Sequence, residues 1–129
     1  MSVLIVDDEP CLRESLQEFL EDEGYAVATA TNGAEALDLL ERGELPCIMI
    51  LDLIMPLVTG NQVYERMQND PRLSKVPILV STSDPSRAPQ GAYVMKKPID
   101  LDRLLGAVRD HCRGYARLHA MRPGTGAES

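Results

Sequence analysis

The apolar positions of this chain fall into short unbroken runs separated by longer amphipathic stretches. Val3-Leu4-Ile5-Val6 is such a run, rich in β-branched residues, and predicts a strand buried on both faces. It stops at Asp7-Asp8-Glu9-Pro10. Leu12, Leu16, Phe19 and Leu20 then recur at helical spacing, and Gly24 closes that helix. Tyr25 to Ala30 reads as a second strand. Asn32 suits the cap of a second helix carrying Ala36, Leu37 and Leu40, with Gly43 at its end. Cys47 to Leu51, after Pro46, is the most apolar run and predicts a central strand that ends at Asp52. Gly60 opens a third helix with Val63 and Met67 inward, ending near Asp70-Pro71. Val76 to Ser81 and Tyr93 to Lys96 predict two more strands. Asp100 caps a last helix with Leu101, Leu104, Leu105, Val108 and Cys112 on one face, ending near Gly114. Met49, Met55 and Met67 read as core packing.

Strand–helix alternation of this kind predicts a parallel sheet covered on both faces, an α/β doubly wound fold. Crossovers in such sheets are right-handed, and ligands bind beyond the carboxyl ends of the strands. One crossover is unusual. Ser83 to Gly91 leaves nine residues that include Pro85 and Pro89. Proline cannot sit in a helix interior and disfavours helix in the residue before it. A loop, or at most one or two turns, is expected there.

Length and composition narrow the classes. With 129 residues, 44% of them hydrophobic, the chain predicts one domain, residues 1–121, and a disordered tail over 122–129 that begins at Arg122-Pro123-Gly124. The net charge of −7 argues against a direct nucleic-acid binder, because phosphate contacts need Lys and Arg. No apolar run approaches a membrane span, and the amino end reaches Asp7 too soon for a secretory signal. Cys11, Cys47 and Cys112 form no CxxC pair and suggest buried thiols in a reducing cytosol. Charge is uneven: residues 1–65 carry 14 acids and two bases, and residues 66–129 carry 11 bases and six acids. Solvated helix faces account for this, as do one acidic and one basic face for two partners. The same two readings stand for Arg109, Arg113 and Arg117, a stripe if the last helix continues.

The strand ends gather chemistry. Asp7 and Asp8 follow the first strand, Asp52 the third, Thr82 the fourth, and Lys97-Pro98 the fifth. Alone, each is an ordinary turn, cap or surface residue. Together, three carboxylates at one edge repel one another, and a hard cation such as Mg²⁺ relieves that through oxygen ligands. Lys97 and the Thr82 hydroxyl can meet phosphate oxygens. An Asp among such groups can accept a phosphoryl group, a reaction run by positioning and charge neutralisation.

These residues resemble the receiver domain of two-component response regulators. The resemblance covers Ser2 to about Arg113 through Val3-Leu4-Ile5-Val6-Asp7-Asp8-Glu9, Asp52-Leu53-Ile54-Met55-Pro56 with Gly60, Thr82, and Lys97-Pro98. It implies a five-stranded sheet of order 2-1-3-4-5, a stand-alone switch of the CheY-like kind, and a cytoplasmic location. It implies that Asp52 accepts a phosphoryl group from a sensor histidine kinase or histidine phosphotransfer protein. Mg²⁺, with Mn²⁺ as a substitute, would be held by Asp7, Asp8, Asp52 and the backbone carbonyl of Ile54. Lys97 would pair with the phosphoryl group, and Thr82 would turn toward it and signal to a downstream protein. Such a protein is a monomer or weak dimer and no enzyme beyond its own phosphorylation and dephosphorylation.

Two features depart from the family pattern. Val94 occupies the switch position usually held by Tyr or Phe, and Tyr93 lies one place earlier, on the other side of the strand. The short stretch after Thr82 leaves a shortened or missing fourth helix. Ile54 and Asp84, two residues beyond Asp52 and Thr82, occupy positions that tune phosphoryl lifetime in this family. Two other functions remain: a pseudo-receiver that binds proteins without phosphorylation, and a haloacid-dehalogenase-type phosphatase. The latter wants a second Asp where Ile54 stands.

Overall fold

A computed structural model describes residues 2–43, 45–55 and 58–112. Its elements alternate as the pattern predicts: β1 Val3–Val6, α1 Pro10–Asp22, β2 Val27–Ala30, α2 Gly33–Arg42, β3 Ile48–Asp52, α3 Gly60–Gln68, β4 Ile78–Thr82, β5 Tyr93–Lys96 and α4 Leu101–His111. All neighbouring strands are parallel, in the order β2-β1-β3-β4-β5. Parallel strands must be linked over a face of the sheet, so apolar residues line both sides. Leu4, Val6, Met49, Leu51 and Val80 form one core with α2 and α3. Val3, Ile5, Ile48, Ile50 and Leu79 form the other with α1 and α4.

Local chemistry fixes the element ends. Pro10 occupies the first turn of α1, where its missing N–H costs nothing. Gly24, at φ 99°, takes the left-handed position that closes this helix; its N–H donates to the Glu21 carbonyl and that of Tyr25 to Leu20. Asn32 caps α2 by accepting from the Glu35 N–H, and Asp100 caps α4 by accepting from Asp102 and Arg103. Thr59 and Gln62 form a reciprocal capping box on α3. The prolines keep the segment between β4 and β5 short: it holds a single 3₁₀ turn, Pro85–Arg87, and no α-helix.

Some expectations need correction. Leu101 stands on the outer side of α4 and is 42% exposed, because it occupies the first turn, beyond the edge of the core. The cysteines are not three buried thiols. Cys47 and Cys112 are joined in a disulfide with a Cα–Cα distance of 5.5 Å, and Cys11 is exposed and free. The last turn of α4 exposes Arg109, Asp110 and His111 but brings buried Cys112 to Cys47, just before β3. The expected helix end near Gly114, the residues Arg113 and Arg117, and the tail over 122–129 lie outside the described residues. Among the described residues, no helix is long and apolar enough to cross a membrane.

Candidate functional site

Parallel strands all end on one edge of the sheet, and four of the five deliver polar side chains there. The Asp7 N–H still donates to the Ala30 carbonyl, extending β1 by one residue. Its carboxylate is buried, with Oδ1 accepting from the Glu9 N–H at 2.9 Å. Arg13, from the first turns of α1, donates to the Asp7 carbonyl at 2.8 Å. Asp52 ends β3 and is also buried. Asp8 is exposed. One oxygen from each of Asp7, Asp8 and Asp52 can be chosen so that all lie within 4.8 Å of one another.

Lys97 follows β5, its N–H donating to the Thr82 carbonyl at 2.8 Å. Its ammonium lies 3.2 Å from Asp7 Oδ2 and 3.4 Å from Asp52 Oδ1. Burial pushes the Asp52 carboxyl up to about 6; the Asp7 charge adds to this, while Lys97 and the Ile54 N–H oppose it. For Lys97, burial favours the neutral amine, but the charges of Asp52 and Asp7 outweigh it and the pKa is raised. The lysine therefore stays charged and pairs with both carboxylates at once.

Thr82 is buried at the end of β4. Its hydroxyl is engaged within the following turn, accepting from the Asp84 N–H at 3.1 Å. Asp84 in turn accepts from Ser86, which holds its carboxyl below the usual range. In register, Thr82 pairs with Lys96 and Val80 with Val94, so Thr82 and Val94 share the face that packs on α2 and α3. Tyr93 points to the opposite face and is 47% exposed.

Ile54, beside Asp52, donates its N–H to Asp52 Oδ1 at 3.4 Å and leaves its side chain 53% exposed. It borders an open cleft of about 430 Å³ together with Met55, Thr59, Asn61 and Arg87. Asn61 donates to the Arg87 carbonyl at 3.0 Å and ties α3 to the 3₁₀ turn. Gly60 seats α3 against the acidic edge. A Cβ there would collide with the Asp52 carbonyl oxygen and the Leu53 Cα, and the Gly60 N–H donates to the Leu53 carbonyl.

Sequence reasoning missed Arg13 and Ser81. Ser81 pairs in register with Asp52 on one side and Met95 on the other, so all three share one face. Its buried hydroxyl has no hydrogen-bond partner. The signal was the break in an otherwise apolar strand, Ile78-Leu79-Val80-Ser81.

A family model for the response regulator receiver domain matches residues 3–109. The chain belongs to that family. Response regulator Rre1 of Synechocystis sp. is 38% identical over 121 residues, covering 85% of this chain and 51% of that protein. Response regulator MprA of Mycobacterium leprae is 33% identical over 136 residues, covering 100% of this chain and 56% of that protein. The chain thus spans about half the length of these relatives. Among solved structures, the chemotaxis response regulator CheY4 of Vibrio cholerae superposes with a TM-score of 0.76 at 29% identity, covering 85% of this chain and 97% of that one. Response regulator TrrA of Thermotoga maritima, solved in complex with Mg²⁺–BeF, gives 0.75 at 32% identity, with 86% and 99% covered. As a receiver domain of two-component signalling, the chain keeps the five-stranded sheet and the acidic edge, and shortens the connection between β4 and β5 to a 3₁₀ turn.

Proposed function

We propose that this receiver domain takes a phosphoryl group on Asp52 from the phosphohistidine of a sensor histidine kinase or a histidine phosphotransfer protein. The observation that carries the reading is the Lys97 ammonium set between Asp7 and Asp52, at 3.2 and 3.4 Å, beside an exposed Asp8. An oxygen of Asp52 bonds to phosphorus as the donor N–P bond breaks, and the departing imidazole takes a proton from solvent. Lys97 moves from its carboxylates to the incoming phosphoryl oxygens, where its charge offsets theirs. The donor set at the edge is all carboxylate oxygen, which fits a hard divalent cation. Mg²⁺ would be held by Asp7, Asp8, Asp52 and the Ile54 carbonyl, with Mn²⁺ able to substitute. When bound, the cation supplies charge neutralisation for the phosphoryl oxygens.

Thr82 then leaves its turn with Asp84 and donates its hydroxyl to the phosphoryl group, a local change read by Val94 on the same face. Here a small aliphatic side chain takes the place of a swinging aromatic ring. The output is altered contact with a downstream protein by a monomer or weak dimer, in the cytoplasm where the donors' phosphohistidines lie. The protein catalyses its own phosphorylation and dephosphorylation only.

Incubation with phosphoramidate and Mg²⁺, followed by intact mass, tests this. A gain of one phosphoryl group that disappears in Asp52→Asn is the expected result. No gain at saturating Mg²⁺ points instead to a pseudo-receiver that works by protein contact alone.

A further inference from the structure

The disulfide lies at the end of the molecule opposite the carboxylates. Cys47 immediately precedes β3, whose far end carries Asp52, and Cys112 caps the C-terminal end of α4. Two features of its surroundings bear on whether the bond is permanent. First, both sulfurs face one acceptor: the Ser2 carbonyl lies 2.8 Å from Cys47 Sγ and 4.0 Å from Cys112 Sγ. A reduced Cys47 would thus find a partner for its S–H without any backbone movement. Second, access is unequal. Cys112 is 3% exposed, whereas Cys47 is only partly buried, so Cys47 is the more accessible of the two residues to an attacking small thiol.

The bond also matters to one short stretch of chain. Past Val108, the last turn of α4 exposes Arg109, Asp110 and His111 and buries Cys112. Arg109 forms a solvent-exposed ion pair with Glu23 at 3.7 Å and hydrogen-bonds Tyr25. Of residues 109–112, Cys112 is the one that is buried, and it packs into the core beneath α1 and α4.

We propose that Cys47 and Cys112 form a reversible thiol–disulfide site that pins or releases the last turn of α4. In reduction, a low-molecular-weight thiolate attacks Cys47 Sγ, and the Cys112 sulfur leaves and takes a proton. A second thiolate attacks the mixed disulfide, releasing Cys47 as a thiol and one molecule of the oxidised small disulfide. Oxidation is the reverse and needs that disulfide as its oxidant. The paired side chains need no large motion in either direction. The proposal is independent of phosphorylation at Asp52, since every group in it lies at the other end of the sheet.

The test equilibrates the full chain in graded mixtures of reduced and oxidised glutathione, then alkylates it and measures intact mass. The expected result is a switch between one alkylated cysteine, Cys11, and three. Three alkylated cysteines at every ratio, or one at every ratio without denaturant, would overturn reversibility. Amide exchange then reads the brace itself. Reduction is expected to speed exchange in residues 109–112 at least tenfold, leave β1 and β3 protected, and lower Tm by about 10 °C. Oxidised Cys112→Ser should match the reduced wild type; should that variant fail to fold, the reduced wild type alone gives the measurement. Unchanged exchange in residues 109–112 on reduction refutes the pinning.

Discussion

Lys97, just past β5, pairs with Asp7, just past β1, at 3.2 Å, although β3 and β4 lie between them. Three strand spacings of about 4.8 Å separate the two chains, so only an extended lysine bridges them. Ser81, the β4 residue in register with Asp52, shares its face of the sheet and is a small side chain there. With Lys97 removed, two buried carboxylates lose their shared counter-ion. Lys97→Met should therefore lower unfolding stability by about 2 kcal/mol at pH 7.5, less than for a fully buried pair because the lysine side chain is 22% exposed. Millimolar Mg²⁺ should return part of that loss. Urea denaturation with and without Mg²⁺ measures both, and a loss that Mg²⁺ leaves untouched would count against the acidic edge as a cation site.

Asp52 sets a pH dependence of definite sign. Its carboxyl is raised from 3.8 to about 6, so in that window the folded state holds a proton the unfolded chain has released. Stability tied to this group is present below about 4, falls as pH rises through 6, and stays lost above. Asp52→Asn removes the titration. It should stabilise the cation-free protein by up to about 3 kcal/mol at pH 7.5 and by almost nothing at pH 4. Denaturation curves of both proteins at the two pH values decide it; an equal difference at both would place the cost elsewhere than in the Asp52 charge.

Much of the molecule was legible because its signals are local. Strand runs, the caps Asn32 and Asp100, the closing Gly24 and the paired prolines at 85 and 89 each act within a few residues, so the pattern carried the order of elements and the short β4–β5 segment, while the strand order 2-1-3-4-5 was implied by the family resemblance. Asp7, Asp8, Asp52 and Lys97 were legible together because a parallel sheet brings strand ends to one edge. What escaped depends on contacts across the sequence. The Cys47–Cys112 bond joins positions 65 apart that no spacing rule links. Ser81 matters through its register with Asp52, and Leu101 is exposed through where the core happens to end. The Thr82 hydroxyl, turned to Asp84, reflects a competition between neighbours that residue types alone do not decide.

Gly60 offers a purely steric test. Its neighbours at the missing Cβ are backbone atoms of Asp52 and Leu53, which cannot yield as a flexible side chain can. Gly60→Ala must push α3 outward or shift the residues that carry Asp52. A loss of about 2 kcal/mol or more is expected despite the better helix propensity of alanine. Gly106→Ala is the control: it also sits inside a helix, α4, but has open space around it, and there propensity alone should stabilise by about 0.5–1 kcal/mol. Chemical denaturation of the pair measures this, and similar effects in both would show that α3 does not rest on the Asp52 backbone.

Ile54 bears on how long a phosphoryl group on Asp52 would last. Its side chain is 53% exposed at the rim of the cleft beside Asp52, and it offers no donor or acceptor to an attacking water. An amide there could hold such a water in line. One hydrogen bond realised in the transition state, about 1.4 kcal/mol, corresponds to roughly a tenfold rate. Ile54→Asn should therefore speed loss of the phosphoryl group by about that factor while leaving the fold intact, since the side chain packs little. The decay is followed by intact mass after the phosphodonor is removed. A lifetime as long as that of the wild type would mean that water reaches phosphorus by a route that Ile54 does not border.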